Sequence, residues 1–346
     1  MTTLGRAANT SGRRLVVVRV VVAPDKFRGT ASAAAAAGAL AEGLRAVGHD
    51  VVELPLADGG EGLLDVLGGA NRSSMVTGPL GDAVDAPWRL SRGTAVIEAA
   101  CASGLQLAGG PDHNDPVAAS TYGTGELIST ALESGAKTII VGVGGSATTD
   151  GGLGALRALY PLPRLRGVRL EVACDVRLTF VDAARVFAPQ KGATPAQVEL
   201  LERRLERLVQ VYENDYSVDV SELEGGGAAG GLAGGLACVG ASLVPGFDLV
   251  ADMVGLDDVA ETAELLITGE GFLDAESFDG KVVGGVVELG AALGIPVVAV
   301  VGEAFDDAEH RVSTISLVEH FGRERAMGDT LACLREAAVL VLALER

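Results

Sequence analysis

The sequence predicts an α/β protein in which a doubly wound parallel sheet, built from both ends of the chain, is interrupted by a second, inserted α/β domain. Three observations carry that reading. The β-branched run Val16 to Ala23 is followed by an alanine-rich stretch from Ser32 to Val47 and then by Val51-Val52-Glu53-Leu54, the order strand, helix, strand. The same order returns far downstream, from Leu265-Leu266-Ile267-Thr268 to the end of the chain. Between the two lies a segment of different texture, with its own strands and a long charged helix.

Taken in order, Val16 to Ala23 reads as a buried strand ending at Pro24-Asp25, and Ser32 opens the first helix. The middle segment contributes strands at Thr94 to Glu98 and Thr138 to Val143, and an amphipathic helix from about Pro195 to Tyr212. The glycine-alanine stretch Gly225 to Gly240 places Leu232, Leu236 and Val239 at helical spacing, so a tightly packed helix is expected there. The downstream end adds a helix near Val283 to Leu293, strands at Ile295 to Val301 and Thr314 to Leu317, and a last helix from about Asp329 to Leu344. About five parallel strands result, enough for one doubly wound sheet. The expected division is an extension over 1–14, a discontinuous first domain over 15–75 plus 262–346, and an inserted domain over 76–261.

Composition narrows the function. With 46 acidic and 27 basic residues the chain carries a net charge of −19, which opposes nucleic-acid backbones and anionic membranes. The apolar stretch Leu15 to Ala23 is short and broken by Arg19, so neither a membrane span nor a signal peptide is expected, and the protein reads as cytoplasmic. Cys101, Cys174, Cys238 and Cys333 are far apart, with no zinc spacing among His49, His113, His310 and His320. The cysteines read as buried thiols and the histidines as structural. An oligomeric state no larger than monomer or homodimer is expected.

Only four of the 27 basic residues are lysine, namely Lys26, Lys137, Lys191 and Lys281. Three of them stand in glycine- or aspartate-rich motifs, whereas Lys137 simply precedes an apolar strand. An ammonium is a compact charge suited to phosphate, and a guanidinium a planar fork, so the two do not interchange at a reaction centre. Gly142-Val143-Gly144-Gly145-Ser146-Ala147 fits the dinucleotide pattern G-x-G-x-x-A, but the following Thr148-Thr149-Asp150-Gly151-Gly152 would interrupt the helix that pattern requires. Amides, hydroxyls and a carboxylate suit phosphate and Mg²⁺ better. Asp58-Gly59-Gly60-Glu61-Gly62, Gly269-Glu270-Gly271 and Ala23-Pro24-Asp25-Lys26-Phe27 have the same character. They should converge at the carboxyl edge of one sheet. There is no Walker A motif, nucleophile elbow or H-E-x-x-H.

These turns occur in a recognisable order. Ala23 to Gly29, Leu56 to Gly62, Ala95 to Ala100 with Ser103-Gly104-Leu105, Thr121 to Ile128, Gly142 to Gly152, Cys174-Asp175-Val176, Phe187 to Ala193, Gly227 to Gly231 and Thr268 to Gly271 with Gly280-Lys281 resemble the bacterial glycerate kinase family, of the glycerate 2-kinase type. The likeness runs from about Leu15 to Val301. It implies ATP- and Mg²⁺-dependent phosphorylation of D-glycerate, typically to 2-phosphoglycerate, on a Rossmann-like domain interrupted by a second α/β domain. On this reading Gly144, Gly145, Ser146, Gly269, Glu270 and Gly271 receive the nucleotide, and Asp150, Asp175 and Glu270 are the candidates to hold Mg²⁺. Lys26, Arg28, Asp58, Gly59, Gly60 and Glu61 face the substrate. Lys191 and Lys281 neutralise the transferred phosphoryl, and Asp25 or Asp175 accepts the hydroxyl proton. The run Arg177 to Asp182 departs from the family pattern, which usually has Asn-Pro-Leu after Cys-Asp-Val. A kinase of another small hydroxy acid, an NAD-dependent dehydrogenase and a non-catalytic binder of acidic metabolites are the alternatives.

Overall fold

A computed structural model of the chain describes residues 17–305 and 308–344. The expected extension over 1–14 lies outside the described residues. A five-stranded sheet has the order Ser313–Ser316, Val297–Val301, Leu265–Thr268, Arg19–Val22, Asp50–Glu53, and every neighbouring pair is parallel. Its strands come from both ends of the chain. A six-stranded sheet runs Arg72–Thr77, Ala83–Ser91, Thr94–Glu98, Thr138–Gly142, Arg169–Ala173, Ser242–Val244, antiparallel across the first three strands and parallel thereafter. Among the described residues no helix is long and apolar enough to cross a membrane.

Alternation along the strands decides how the layers pack, because successive side chains point to opposite faces. Val20, Val22, Leu265 and Ile267 face the helices Ala33–Ala46 and Thr330–Leu344, whereas Val21 and Leu266 point the other way. In the second sheet Ile139 and Val141 enter one core, and Val96 and Ile140 face away from it. Val21, Leu266, Val96 and Ile140 then share a single core with Leu63, Phe247, Val250 and Val286. The two sheets are therefore joined by one continuous apolar layer.

Local chemistry sets the element boundaries. Ser32 caps the first helix by accepting from the Ala35 amide at 3.2 Å, and Thr194 and Gln197 form a reciprocal capping box at the start of Pro195–Tyr216. The second strand stops at Glu53, short of the Asp58 turn, because Pro55 has no amide to give the ladder. The chain still runs alongside, with Leu54 and Leu56 donating to the Val22 and Pro24 carbonyls.

The glycine-alanine stretch differs from the regular helix expected of it. Its helical segment, Ala228–Ala237, contains left-handed backbone at Ala229, Gly230 and Gly231. The cause is contact: a Cβ on Gly230 would stand 2.6 Å from the Thr149 Cα, and the Gly230 carbonyl accepts from the Gly151 amide at 3.0 Å. The chain bends there to clasp the Thr148 to Gly152 loop.

Two glycines of the first helix make its packing testable. Gly38 faces open space apart from the Glu53 carboxylate, whereas a Cβ on Gly43 would overlap the Arg335 carbonyl of the crossing C-terminal helix. Helix propensity favours alanine at either position by about 1 kcal/mol. At Gly43 an overpacking cost of about 1–3 kcal/mol opposes that gain. Urea unfolding should show G38A stabilised by about 1 kcal/mol and G43A not stabilised, with a net loss of up to about 2 kcal/mol.

Candidate functional site

The three turns at the carboxyl edge of the five-stranded sheet meet. The Asp25 amide donates to the Gly269 carbonyl at 2.8 Å, and the Thr268 hydroxyl donates to the Ala23 carbonyl at 3.0 Å. Lys26 Nζ stands 3.5 Å from both Asp25 Oδ2 and Asp58 Oδ1. Asp58 also accepts from the Gly60 amide at 3.1 Å, which folds its turn back on itself.

That turn is wedged into the strand ends of the other sheet. A Cβ on Gly59 would lie 2.8 Å from both the Ala173 Cβ and the Gly246 Cα, and one on Gly144 would lie 2.8 Å from the Gly60 Cα. Gly59 is also left-handed, at φ +81°. Only side-chain-free backbone fits a contact this close. Glu98, buried at the end of its strand, fixes the far side of the turn by accepting from the Gly62 and Leu64 amides at 3.0 and 2.8 Å. Sequence reasoning quoted the motif around Glu98 without giving it this part. A carboxylate closing an apolar strand was the available signal.

Four carboxylates, Asp25, Asp58, Asp175 and Glu270, stand here, and burial, with a neighbouring negative charge adding to it, raises the proton affinity of Asp25, Asp175 and Glu270. Burial pushes Asp25 up to about 6, with Lys26 opposing and Asp58 adding to the rise. Burial, and next the charge of Asp58, pushes Asp175 up to about 7. Burial likewise holds Glu270 at about 7, with Asp25 contributing. Lys26 is held above its usual range: burial opposes its charge, but Asp25 and Asp58 outweigh it.

Asp175 Oδ1 accepts from the Gly246 amide at 2.7 Å, while its Oδ2 is buried without a partner, as is Glu270 Oε1. An unpartnered carboxylate oxygen such as Glu270 Oε1 is the hard donor that a cation such as Mg²⁺ prefers. Among the described residues no group of three or more His, Cys, Asp or Glu side chains forms a metal cage. Mg²⁺ at phosphate sites needs only one or two carboxylates besides the phosphate oxygens. Asp150 is placed differently. Its carboxylate already accepts from the Thr121 amide and hydroxyl, both at 2.9 Å, and from the Gly152 and Gly154 amides.

Lys191 is almost fully enclosed, with 4% of its surface exposed. Its ammonium donates to Ser146 Oγ at 2.9 Å and to the Thr148 carbonyl at 2.6 Å. Burial pulls its pKa down to about 7, with Asp150 opposing. Lys281 occupies the residue just before the helix Val282–Leu293, without a side-chain capping bond, and its ammonium reaches Glu276 at 3.4 Å.

These groups line two adjoining hollows. One, of about 480 Å³, is bounded by Arg28, Asp58 to Gly60, Gly144 to Ser146, Asp175, Lys191 and Lys281. The other, of about 560 Å³, is bounded by Asp25, Lys26, Arg28, Glu61 and Glu98. Arg28 belongs to both. Gly269 to Gly271 sit behind, at the end of their strand, and Asp150 faces a separate cavity. Residues 144–152 contain no helix, and the next one begins at Leu153, so the glycine loop lacks the helix start of a dinucleotide fingerprint. His49 and His320 make backbone contacts, and all four cysteines are free thiols.

A model of the glycerate kinase family matches residues 20–160 and 161–344. The glycerate 2-kinase of Escherichia coli K12 is 38% identical over 330 residues, covering 84% of this chain and 86% of that protein. The glycerate kinase of Bacillus subtilis 168 is 37% identical over 331 residues, again 84% and 86% of the two chains. A crystal structure of a protein assigned as glycerate kinase 2, from Salmonella typhimurium LT2, superimposes with a TM-score of 0.79 at 35% identity, over 95% of this chain and 100% of that one.

The buried ammonium gives a stability signature separate from activity. The unfolded chain holds the Lys191 proton up to its ordinary pKa of 10.5, whereas the folded chain releases it at about 7. Between those values the unfolded state binds more protons, so stability rises with pH. In denaturant titrations at several pH values, wild type should gain stability relative to Lys191→Met on going from neutral pH to pH about 9, by up to about 1.4 kcal/mol per pH unit. Parallel curves for the two proteins would show that Lys191 is charged throughout.

Proposed function

The chain belongs to the glycerate kinase family, and from that premise we propose that it transfers the γ-phosphoryl group of ATP to the 2-hydroxyl of D-glycerate. The products are 2-phosphoglycerate and ADP. One observation carries the assignment of roles: a single hollow is lined by Asp175, which has one oxygen without a partner, together with Lys191, Lys281, Arg28 and Gly144 to Ser146. In phosphoryl transfer a protein mainly positions groups and neutralises charge, and this inventory does both.

The roles follow from the surroundings of each group. Asp175, raised to about 7, has the proton affinity of a general base at neutral pH, and its unpartnered oxygen is the one that takes the hydroxyl proton. The hydroxyl oxygen then bonds to the γ-phosphorus as the bond to the β-phosphate bridge breaks. Lys191 and Lys281 supply positive charge beside the transferred group, and an arriving phosphate favours the ammonium form that burial alone disfavours at Lys191. Arg28, a fork between the two hollows, receives the glycerate carboxylate, with the Asp58 to Glu61 turn against the hydroxyls. Lys26, already ion-paired with Asp25 and Asp58, holds that turn in place.

Glu270 is the carboxylate we assign to Mg²⁺, which would shield the nucleotide phosphates when bound. Asp150 orders the loop instead, since its oxygens are already engaged by backbone and Thr121. Gly269 to Gly271 support the hollow from behind, and the Gly144 to Ser146 segment that lines it takes the nucleotide phosphates. We take the two sheets as the two domains, the inserted one opening with the strand at Arg72, and a cytoplasmic setting suits the activity.

Phosphorus NMR of the products formed from ATP, Mg²⁺ and D-glycerate should show 2-phosphoglycerate. Formation of 3-phosphoglycerate would overturn the position, and no transfer would overturn the reaction. Asp175→Asn should lower kcat by on the order of a hundredfold. In wild type kcat/KM should fall as the pH drops below about 7, where Asp175 becomes protonated. Asp58→Asn removes a charge that raises the Asp175 pKa, so its acid limb should move to lower pH. A limb that stays in place would assign the base elsewhere.

A further inference from the structure

Behind the glycine loop lies a third cavity, of about 450 Å³, which shares no lining residue with the two hollows of the site. Its volume falls within the roughly 300–1,000 Å³ of small-molecule sites. One wall is a single face of the helix Pro195–Tyr216, where Arg204, Arg207, Leu208 and Val211 recur at helical spacing. Arg157 stands on the neighbouring short helix, and Val117 and Leu153 complete the apolar lining.

The polar groups here are mismatched to the protein alone. Three arginines and a single acid, Asp150, line the cavity, and that carboxylate is already engaged by Thr121, Gly152 and Gly154. Arg204 donates to the Val117 carbonyl at 2.9 Å, but neither Arg157 nor Arg207 has an ion-pair partner among the described residues. Thr149 lines the same cavity. It is 2% exposed, and its hydroxyl is buried without a hydrogen-bond partner. A buried hydroxyl left unsatisfied is costly, so a ligand that satisfied it would gain affinity.

We propose that this cavity binds a small organic anion bearing phosphate or carboxylate groups, and that its occupancy regulates the catalytic hollow. Guanidinium forks match either oxyanion bidentately, while Val117, Leu153, Leu208 and Val211 accept a short carbon frame. The path to the hollow is one residue long. Thr149 follows Thr148, whose carbonyl receives the Lys191 ammonium at 2.6 Å, and Lys191 also holds Ser146. A ligand that binds one arrangement of Thr148 to Asp150 better than another shifts the placement of Lys191, and substrate at the hollow reciprocally shifts the ligand's affinity.

The test uses the full chain with glycerate and a nonhydrolysable ATP analogue saturating the catalytic hollow. Glycerol 3-phosphate and tricarballylate are the two probes, separating phosphate from carboxylate recognition by calorimetry. At least one should bind, and Arg204→Ala/Arg207→Ala should weaken it by about tenfold or more. Thr149→Val, which keeps the shape and removes the hydroxyl, should weaken it as well. The same probe should change the glycerate KM of wild type by about twofold or more and leave that of the arginine double variant unmoved, while basal turnover of the double variant matches wild type. Absence of binding by both probes at millimolar concentration, binding that survives the arginine substitutions, or binding that leaves the wild-type KM unchanged would each overturn the proposal.

Discussion

The contact between the Asp58 to Gly60 turn and the strand ends of the six-stranded sheet is the constraint on which the site depends. Gly59 and Gly60 approach Ala173, Gly246 and Gly144 so closely that a Cβ at Gly59 or Gly144 would collide with main chain. Because the turn starts from one sheet and ends inside the other, it brings the Asp25, Lys26 and Asp58 cluster next to Asp175 and the glycine loop. The apolar layer shared by Val21, Leu266, Val96 and Ile140 keeps the sheets at that separation. Position is what the fold supplies, and in phosphoryl transfer position is most of the catalysis.

The electrostatic cost of this arrangement is spread over several groups. Burial and mutual repulsion favour the neutral forms of Asp25, Asp175 and Glu270, and burial favours neutral Lys191. None of these groups sits comfortably in the ligand-free protein. A triphosphate with its counterion carries the charges that would relieve all of them at once. A chain with net charge −19 repels anions at long range, so attraction for an anionic substrate has to be local, and Arg28, Lys191 and Lys281 are the cations that line the 480 Å³ hollow.

Much of the fold was legible in the sequence, and what was not has identifiable causes. Strands such as Arg19–Val22 and Leu265–Thr268 announce themselves because burial on both faces selects unbroken aliphatic runs. The strand Arg72–Thr77 does not, since at the sheet edge only Val76 of its six residues is buried, and Ser242–Val244 is too short to leave a pattern. The convergence of three turns was readable from the rule that strand carboxyl ends share an edge, and the structure brings them within hydrogen-bond reach. The burial of Lys191 was not. It depends on Ser146 and Thr148, far away in sequence, folding over its ammonium. Asp150 looked equivalent to Asp175 on paper, and only the tertiary contacts with Thr121 separate a loop-ordering carboxylate from one with a free oxygen.

The departure at Arg177 to Asp182 acquires its meaning from the same loop. None of these residues lines the 480 Å³ hollow. Arg177 pairs with Glu224 where both are exposed, and Asp182 is engaged by Thr179 and Arg185. Phe180, by contrast, is fully buried, with its ring filling the space above Gly151, Gly231 and Gly234 and meeting Tyr212 edge to face at 5.9 Å. Tyr212 in turn donates to the Gly151 carbonyl at 2.8 Å. The altered segment is thus a support for the back of the glycine loop. Its aromatic wedge leaves no room for a side chain at Gly151, Gly231 or Gly234, while Gly227, Gly230 and Gly235 are held side-chain-free by main chain of the neighbouring loops. The segment therefore bears on the back of the loop whose Thr148 carbonyl and Ser146 hydroxyl hold Lys191, and contributes no residue to the 480 Å³ hollow.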